Sequence, residues 1–384
     1  MNERRVFVTA LALALGAAIS LGLARFSYAL LLPPMRAELG WSYFTAGAMN
    51  TVNAMGYLVG ALLLPRALAK LDARTIFLAG GWGAALLLAL HGFARSEALL
   101  YALRGLTGVA SAATFASGGL LAARLGQQPG ARPSLVLGLY YGGTGLGIVA
   151  SSLIVPPLTW PVAWQGLALA ALAATLAMGW GTRPLAAAPM AAAARGAGFS
   201  ARDFAFGLAG YLMFGLGYIG YMTFIVTLLR EQGASGATVV AFYILLGCGV
   251  IASSWLWAPL LQRYRGGQPL ALLNALLAVA TLLPVLSAHP LAVFASGALF
   301  GAVFLSLVAS TTALVRHNLP PAAWPAGIAA FTSIFAAGQI VGPSLVGWGA
   351  DGAGGLARGL AVSAGVLALG ALLATRQRAL KQPL

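Results

Sequence analysis

Acidic side chains are nearly missing from this chain: Asp and Glu together number 7 in 384 residues, against 22 Lys and Arg. Charge of either sign is scarce as well, at 8% of residues, where soluble domains usually carry about 25%. So few charges cannot cover a large water-facing surface, which excludes a sizeable soluble domain. The single cysteine, Cys248, lies in an apolar run, so no internal disulfide is possible and it reads as a small core residue. The histidines are also few, and His91, His289 and His317 all fall near the ends of apolar segments. The sequence carries no metal-ligand cluster, no glycine-rich phosphate loop and no nucleophile–base pair. These absences argue against an enzyme, and no cofactor or bound metal is expected.

Apolar residues are abundant, at 60% of the chain, with a mean hydropathy of +0.89. A helix needs about 20 mostly apolar residues to cross a bilayer. Apolar segments of that kind fall near 6–33, 42–65, 75–92, 97–123, 134–158, 161–180, 204–229, 236–261, 270–287, 291–315, 325–349 and 355–375. The first is too long for a signal peptide and has no small-residue cleavage site, so it reads as a retained helix. Spans 5 and 6 are divided only by Pro156, Pro157 and Pro161. The expected fold is an all-α membrane protein with twelve transmembrane helices.

With the N-terminus inside, the cytoplasmic segments hold sixteen of the 22 basic residues, among them Arg66, Lys70, Arg74, Arg124, Arg183, Arg195 and Arg202. The outer side receives only Arg36, Arg95, Arg230 and Arg358, while Arg25 and Arg104 fall within spans. This bias orients the chain with both termini in the cytoplasm, as expected of a multi-pass inner (plasma) membrane protein. It also accounts for the net charge of +15 without a nucleic-acid partner.

A shift of 193 residues lays the second half on the first. Gly22 to Tyr28 then meets Gly215 to Tyr221, Lys70 meets Arg263, Gly108 meets Gly301 and Arg124 meets His317. A near-constant offset over a whole half marks an internal repeat. The expected organisation is a six-helix half over 1–180, a cytoplasmic linker over 181–203 and a second six-helix half over 204–384.

Two parallel six-helix halves resemble the major facilitator superfamily. The run Leu100 to Ala112, with Arg104 followed by Gly108, resembles its fourth-helix motif. The Pro65–Arg74 loop occupies the place of the cytoplasmic signature, but Ala69 stands where an aspartate is usual and Asp72 where a glycine is usual. Gly138 to Gly147 is similar to the Gly-rich motif of exporters without its proline. "LGLARFSYALLLPPM" at 21–35 resembles the YbfB/YjiJ-like branch, where Gly-x-x-Arg-Phe-x-Tyr sits late in the first helix. The resemblance implies a secondary transporter working by alternating access, with helices 1, 4, 7 and 10 lining the path.

A charge inside the membrane costs at least ~2.5–3.5 kcal/mol, so an intramembrane arginine is a functional hypothesis by default. Arg25 lies eight residues before Pro33, or about 12 Å below the outer boundary at the helical rise. Arg104 lies at a comparable depth in span 4, and all seven acidic residues map to loops, termini or helix ends. A solute anion is therefore the expected partner of Arg25, held bidentately by the guanidinium. Arg104 reads equally as solute contact or as a structural residue binding backbone carbonyls. Tyr28, Tyr218 and Tyr221 share the depth and faces of these groups, with Tyr218 the repeat partner of Arg25. Asn50, Asn53, Tyr141 and Gln339 complete the candidate solute-binding set; Asn50 and Asn53 read more readily as interhelical ties than as solute contacts. Phe300 and Phe304 read as packing residues, and Gly56/Gly60 as a close helix contact.

The expected function is secondary active transport of a small organic anion such as a carboxylate. An efflux pump for amphiphilic compounds and a non-transporting membrane sensor are the alternatives. The expected partners are a small-molecule anion and the lipid bilayer, and the expected oligomeric state is a monomer.

Overall fold

The computed structural model describes residues 2–185 and 199–380. The central part of the expected linker, with Arg195, and Lys381 lie outside the described residues. Among the described residues, twelve helices are long and apolar enough to cross a membrane. They are α1 (Glu3–Leu39), α2 (Tyr43–Leu68), α3 (Ala73–His91), α4 (Glu97–Gly126), α5 (Pro133–Ile154), α6 (Trp160–Gly181), α7 (Ala205–Glu231), α8 (Gly236–Arg263), α9 (Gln268–Leu286), α10 (Pro290–Asn318), α11 (Pro321–Ala350) and α12 (Gly355–Thr375). The fold is all-helical, as the hydropathy pattern requires.

Helix boundaries follow local chemistry. Asp72 caps α3, accepting from the backbone N–H groups of Arg74 and Thr75 at 3.0 Å each. Pro156 and Pro157 follow the end of α5 at Ile154, and Pro161 opens α6 from its first turn. α8 is interrupted at Trp257, just before Pro259, and the Trp257 indole donates to the Ala302 carbonyl at 2.7 Å.

One boundary departs from expectation. The first span does not stop at Pro33; Pro33 and Pro34 lie inside α1, which runs to Leu39 and ends at Gly40 with φ 66°. Tandem prolines withhold two N–H donors, a loss that a helix packed among other helices tolerates. Arg25 is therefore fourteen residues from the end of its helix, about 20 Å along the axis.

α1 also changes its winding midway. Residues Ala18–Phe26 form a π-helix between two α-helical stretches. The Ser27 N–H bonds the Gly22 carbonyl five residues back at 3.0 Å. Such wide turns are rare, and they leave carbonyls misaligned with the helix's own donors. The segment fits because glycines let α5 come close: a side chain on Gly22 would run into the backbone of Gly147, and one on Gly143 into the Ala14 carbonyl.

By their contacts the helices group into two units. The first holds α1, α3 to α6, α2 from Val52 onward and the segment Gly233–Ile251. Within it α1 packs on α5 and α4, and α3 packs on α4 and α6. The second holds α7, α9 to α12, the segment Ser42–Thr51 and the remainder of α8. Within it α7 packs on α12 and α11, and α9 on α12 and α10. The contact boundary thus leaves the repeat boundary at Ser42–Thr51 and at Gly233–Ile251.

Candidate functional site

In the first unit, Arg25 sits in the π-helical stretch and is 3% exposed. Its Nε and Nη2 have no hydrogen-bond partner, and its guanidinium carbon lies 5.9 Å from the centre of the Tyr57 ring. Arg104 comes from α4 and is fully enclosed. Its Nη1 donates to the Ala24 carbonyl at 3.0 Å, and its guanidinium lies 4.6 Å from the centre of the Tyr28 ring. Both guanidinium groups are buried.

The π-helix explains part of this layout. Ala24 and Phe26 each offer a carbonyl outward; Arg104 takes the first and the Tyr243 hydroxyl takes the second at 3.2 Å. Asn53 Nδ2 donates to the backbone carbonyl of Arg104 at 3.0 Å, fixing α2 against α4. A side chain on Gly56 or Gly108 would strike the facing backbone, so this crossing is set by glycine. Tyr141 of the candidate set is exposed, with its ring packed edge-on to Tyr140 and beside Phe115.

The remaining candidates lie in the second unit. The Tyr218 hydroxyl donates to Gln339 Oε1 at 2.7 Å. Tyr221 shares a hydrogen bond with Ser296 at 2.6 Å and stacks on Phe300 at 4.0 Å. Asn50 Nδ2 donates to Thr223 Oγ1 at 2.7 Å, so its amide ties α2 to α7. Tyr218 belongs to a run of stacked rings: Phe214 lies 4.6 Å from it, Phe335 5.6 Å and Phe304 6.1 Å. Phe304 and Phe300, read as packing from sequence, are thus in direct contact with the candidate tyrosines.

Four residues escaped the candidate set read from the sequence. Tyr57 follows Asn50 and Asn53 at helical spacing, and that periodicity was the available signal. Tyr211 and Phe214 precede Tyr218 and Tyr221 on one face of α7 in the same way. His91 gave no signal beyond its position, yet it is completely buried, with Nδ1 2.7 Å from the Leu87 carbonyl. It stacks on Trp164, ring centres 4.4 Å apart.

All seven acidic residues stay at helix ends or outside helices, several as structural ties. Glu38 accepts from the Trp160 indole at 2.7 Å, and Asp351 accepts from the Tyr43 and Phe44 N–H groups at 2.7 and 2.9 Å. Asp72 lies outside the membrane span; hydrogen bonds from Thr75, first its side chain, hold its carboxyl below the usual carboxylate range. Among the described residues, no group of His, Cys, Asp and Glu is arranged to hold a metal.

Twelve helices long and apolar enough to cross a membrane, with two buried arginines in the first unit, define a polytopic membrane protein. The chain belongs to the family described as uncharacterised MFS-type transporter YbfB, which matches residues 17–375. Solved structures share the fold at low identity. The nucleoside transporter NupG has a TM-score of 0.73 at 14% identity, covering 98% of this chain and 100% of its own. A bacterial homologue of the human lysosomal transporter Spinster, inward-facing and unoccupied, has a TM-score of 0.69 at 14% identity, covering 97% and 95%. The human organic anion transporter MFSD10 (TETRAN) has a TM-score of 0.65 at 17% identity, covering 97% and 99%. No curated protein matches the chain.

Proposed function

We propose that this membrane transporter carries small organic anions, carboxylates first among them, by alternating access. The observation that carries this reading is the Arg25 guanidinium, buried yet without a partner at Nε and Nη2, beside a second buried arginine. An unmade hydrogen bond on a buried charge costs more than one between neutral groups. A carboxylate supplies two oxygens in the geometry of the guanidinium fork and cancels charge that the protein leaves uncompensated. Arg104, already bonded to the Ala24 carbonyl, holds the π-helical stretch that presents Arg25. The positive-inside bias supports an inner-membrane orientation with both termini cytoplasmic.

A thermal-shift screen of carboxylates, phosphates and sulfonates on the purified protein tests the reading. Stabilisation by carboxylates that disappears in Arg25→Ala is expected. If Arg25→Ala and Arg104→Ala both leave the flux of every anion unchanged in proteoliposomes, the anion site is wrong.

A further inference from the structure

α9 and α12 pack against each other in the second unit, and between them lies an apolar groove of about 780 Å³. Small side chains make room for it. Ala278, Ala364 and Ala371 form its buried floor, while Leu272, Val279 and Leu372 stand exposed at its rim. On α12 the groove runs from Ala361 to Thr375, about 21 Å of helix at the helical rise. One leaflet supplies about 15 Å of hydrocarbon. The groove is therefore long enough to hold an acyl chain from the headgroup level to the midplane.

Thr375 also lines a second pocket, of about 430 Å³, which continues the groove past the end of α12. This one is polar. Arg376 and Arg378 line it and are exposed, and Asp203 is its one acidic residue, so positive charge is in excess. Phe206, in the first turn of α7, lines it too, and a helix N-terminus favours a negative group. The arginines do not ride on a frayed end. Gln377 between them is buried; it donates to the Asp203 and Arg378 carbonyls at 3.0 Å each and accepts from the Gly207 N–H at 2.9 Å. Its own carbonyl accepts from the Gly267 N–H at 2.8 Å, and the Leu380 N–H donates to Asn318 Oδ1 at 2.6 Å. A charged mouth is thereby fixed at one end of an apolar groove.

We infer that groove and pocket together hold one anionic phospholipid, an acyl chain along α9 and α12 and its phosphate against Arg376 and Arg378. The site is independent of the solute reading above. Guanidinium forks match phosphate oxygens, and basic pockets between membrane helices on the cytoplasmic side take acidic headgroups. The positive-inside bias puts this end of α12 on that side. A second copy of the chain would cover the groove with apolar side chains, but the charge at its mouth calls for an anion.

Gly365 allows the groove to be filled without disturbing the packing, since it lines the groove and a Cβ there meets nothing within 4 Å. The test is a thermal-shift titration of the purified full chain in detergent, beside native mass spectrometry. The probes are dioleoyl phosphatidylglycerol, dioleoyl phosphatidylcholine and glycerol phosphate. Phosphatidylglycerol is expected to stabilise wild type at about tenfold lower concentration than phosphatidylcholine, and to stay bound in the mass spectrum. The double variant Arg376→Gln/Arg378→Gln is expected to lose that preference, and Gly365→Leu to lose affinity for both lipids. Each variant without lipid should melt close to wild type. A wild type that does not distinguish the two lipids overturns the site, with no variant required. A double variant that keeps the preference, or Gly365→Leu that keeps the affinity, overturns it equally. Glycerol phosphate that stabilises as well as phosphatidylglycerol would put a free anion there instead of a lipid. A dimer that Gly365→Leu dissociates would put a second copy in the groove; either result overturns the lipid site.

Discussion

The Arg104 guanidinium donates to the carbonyl of Ala24, 3.0 Å away, on the residue immediately before Arg25. Two arginines from different helices thereby become one unit: the first holds the backbone from which the second projects. Ala24 and Arg25 both lie in the π-helical stretch, so this bond ties that stretch to α4.

Replacement of Arg104 is therefore expected to act first on stability. Arg104→Met removes a charge-assisted hydrogen bond to a buried carbonyl, worth about 1.5–3 kcal/mol. The melting temperature in detergent should fall by several degrees, measured on the variant beside wild type. An unchanged melting temperature would show that the π-helical stretch does not depend on Arg104.

Arg25→Lys is expected to keep the fold and weaken the solute. An ammonium is a point charge and does not reproduce the guanidinium fork. A rise in KM of about tenfold, with the melting temperature close to wild type, is the expected outcome of anion-flux measurements.

The glycines of α5 provide a steric test. Gly143→Ala places a methyl against the backbone of Ala14, which cannot swing aside as a side chain could, whereas Gly179→Ala on α6 meets nothing within 4 Å. The first is expected to cost about 1–3 kcal/mol or to abolish folded yield. The second is expected to be neutral or stabilising by up to about 1 kcal/mol. Yield and melting temperature of the two variants in parallel decide the point.

Asp72 gives a pH dependence with a definite sign. Its carboxyl is held below the ordinary range by the Thr75 side chain and by backbone N–H groups. Its contribution is therefore fully present above the ordinary carboxylate pKa, about 4, and is lost as pH falls through the lowered value. Asp72→Ala should lower stability by about 1 kcal/mol at neutral pH. The gap between variant and wild type in a thermal-shift series should close as the pH drops below about 4.

The helices themselves were largely legible. Each of the twelve expected spans has its helix because a membrane crossing is specified by a run of apolar residues of sufficient length, a local property. The α1 terminus was misjudged for a local reason too: proline is a strong stop signal in water, yet Pro33 and Pro34 are carried within a packed membrane helix. Candidate residues fared unevenly. Arg25 and Arg104 were visible because a charge in an apolar run stands out. His91 was not, since a histidine at a span's end carries no mark of its burial.

Composition, arginine placement and the 193-residue offset by themselves determined a twelve-helix membrane protein, its family likeness and its two buried arginines. These depend on which residues follow one another, and solvent enforces them one segment at a time. Tertiary structure alone decided which atoms those arginines meet. The π-helical turn before Arg25, the Ala24 carbonyl that Arg104 takes, the Asn50 tie to Thr223 and the His91–Trp164 stack join residues distant in the chain or depend on such contacts. Membrane helices drawn from so small an alphabet have many packings open to them, and backbone approach at glycines such as Gly22 and Gly147 helps select the one that leaves Arg25 Nε and Nη2 without a hydrogen bond.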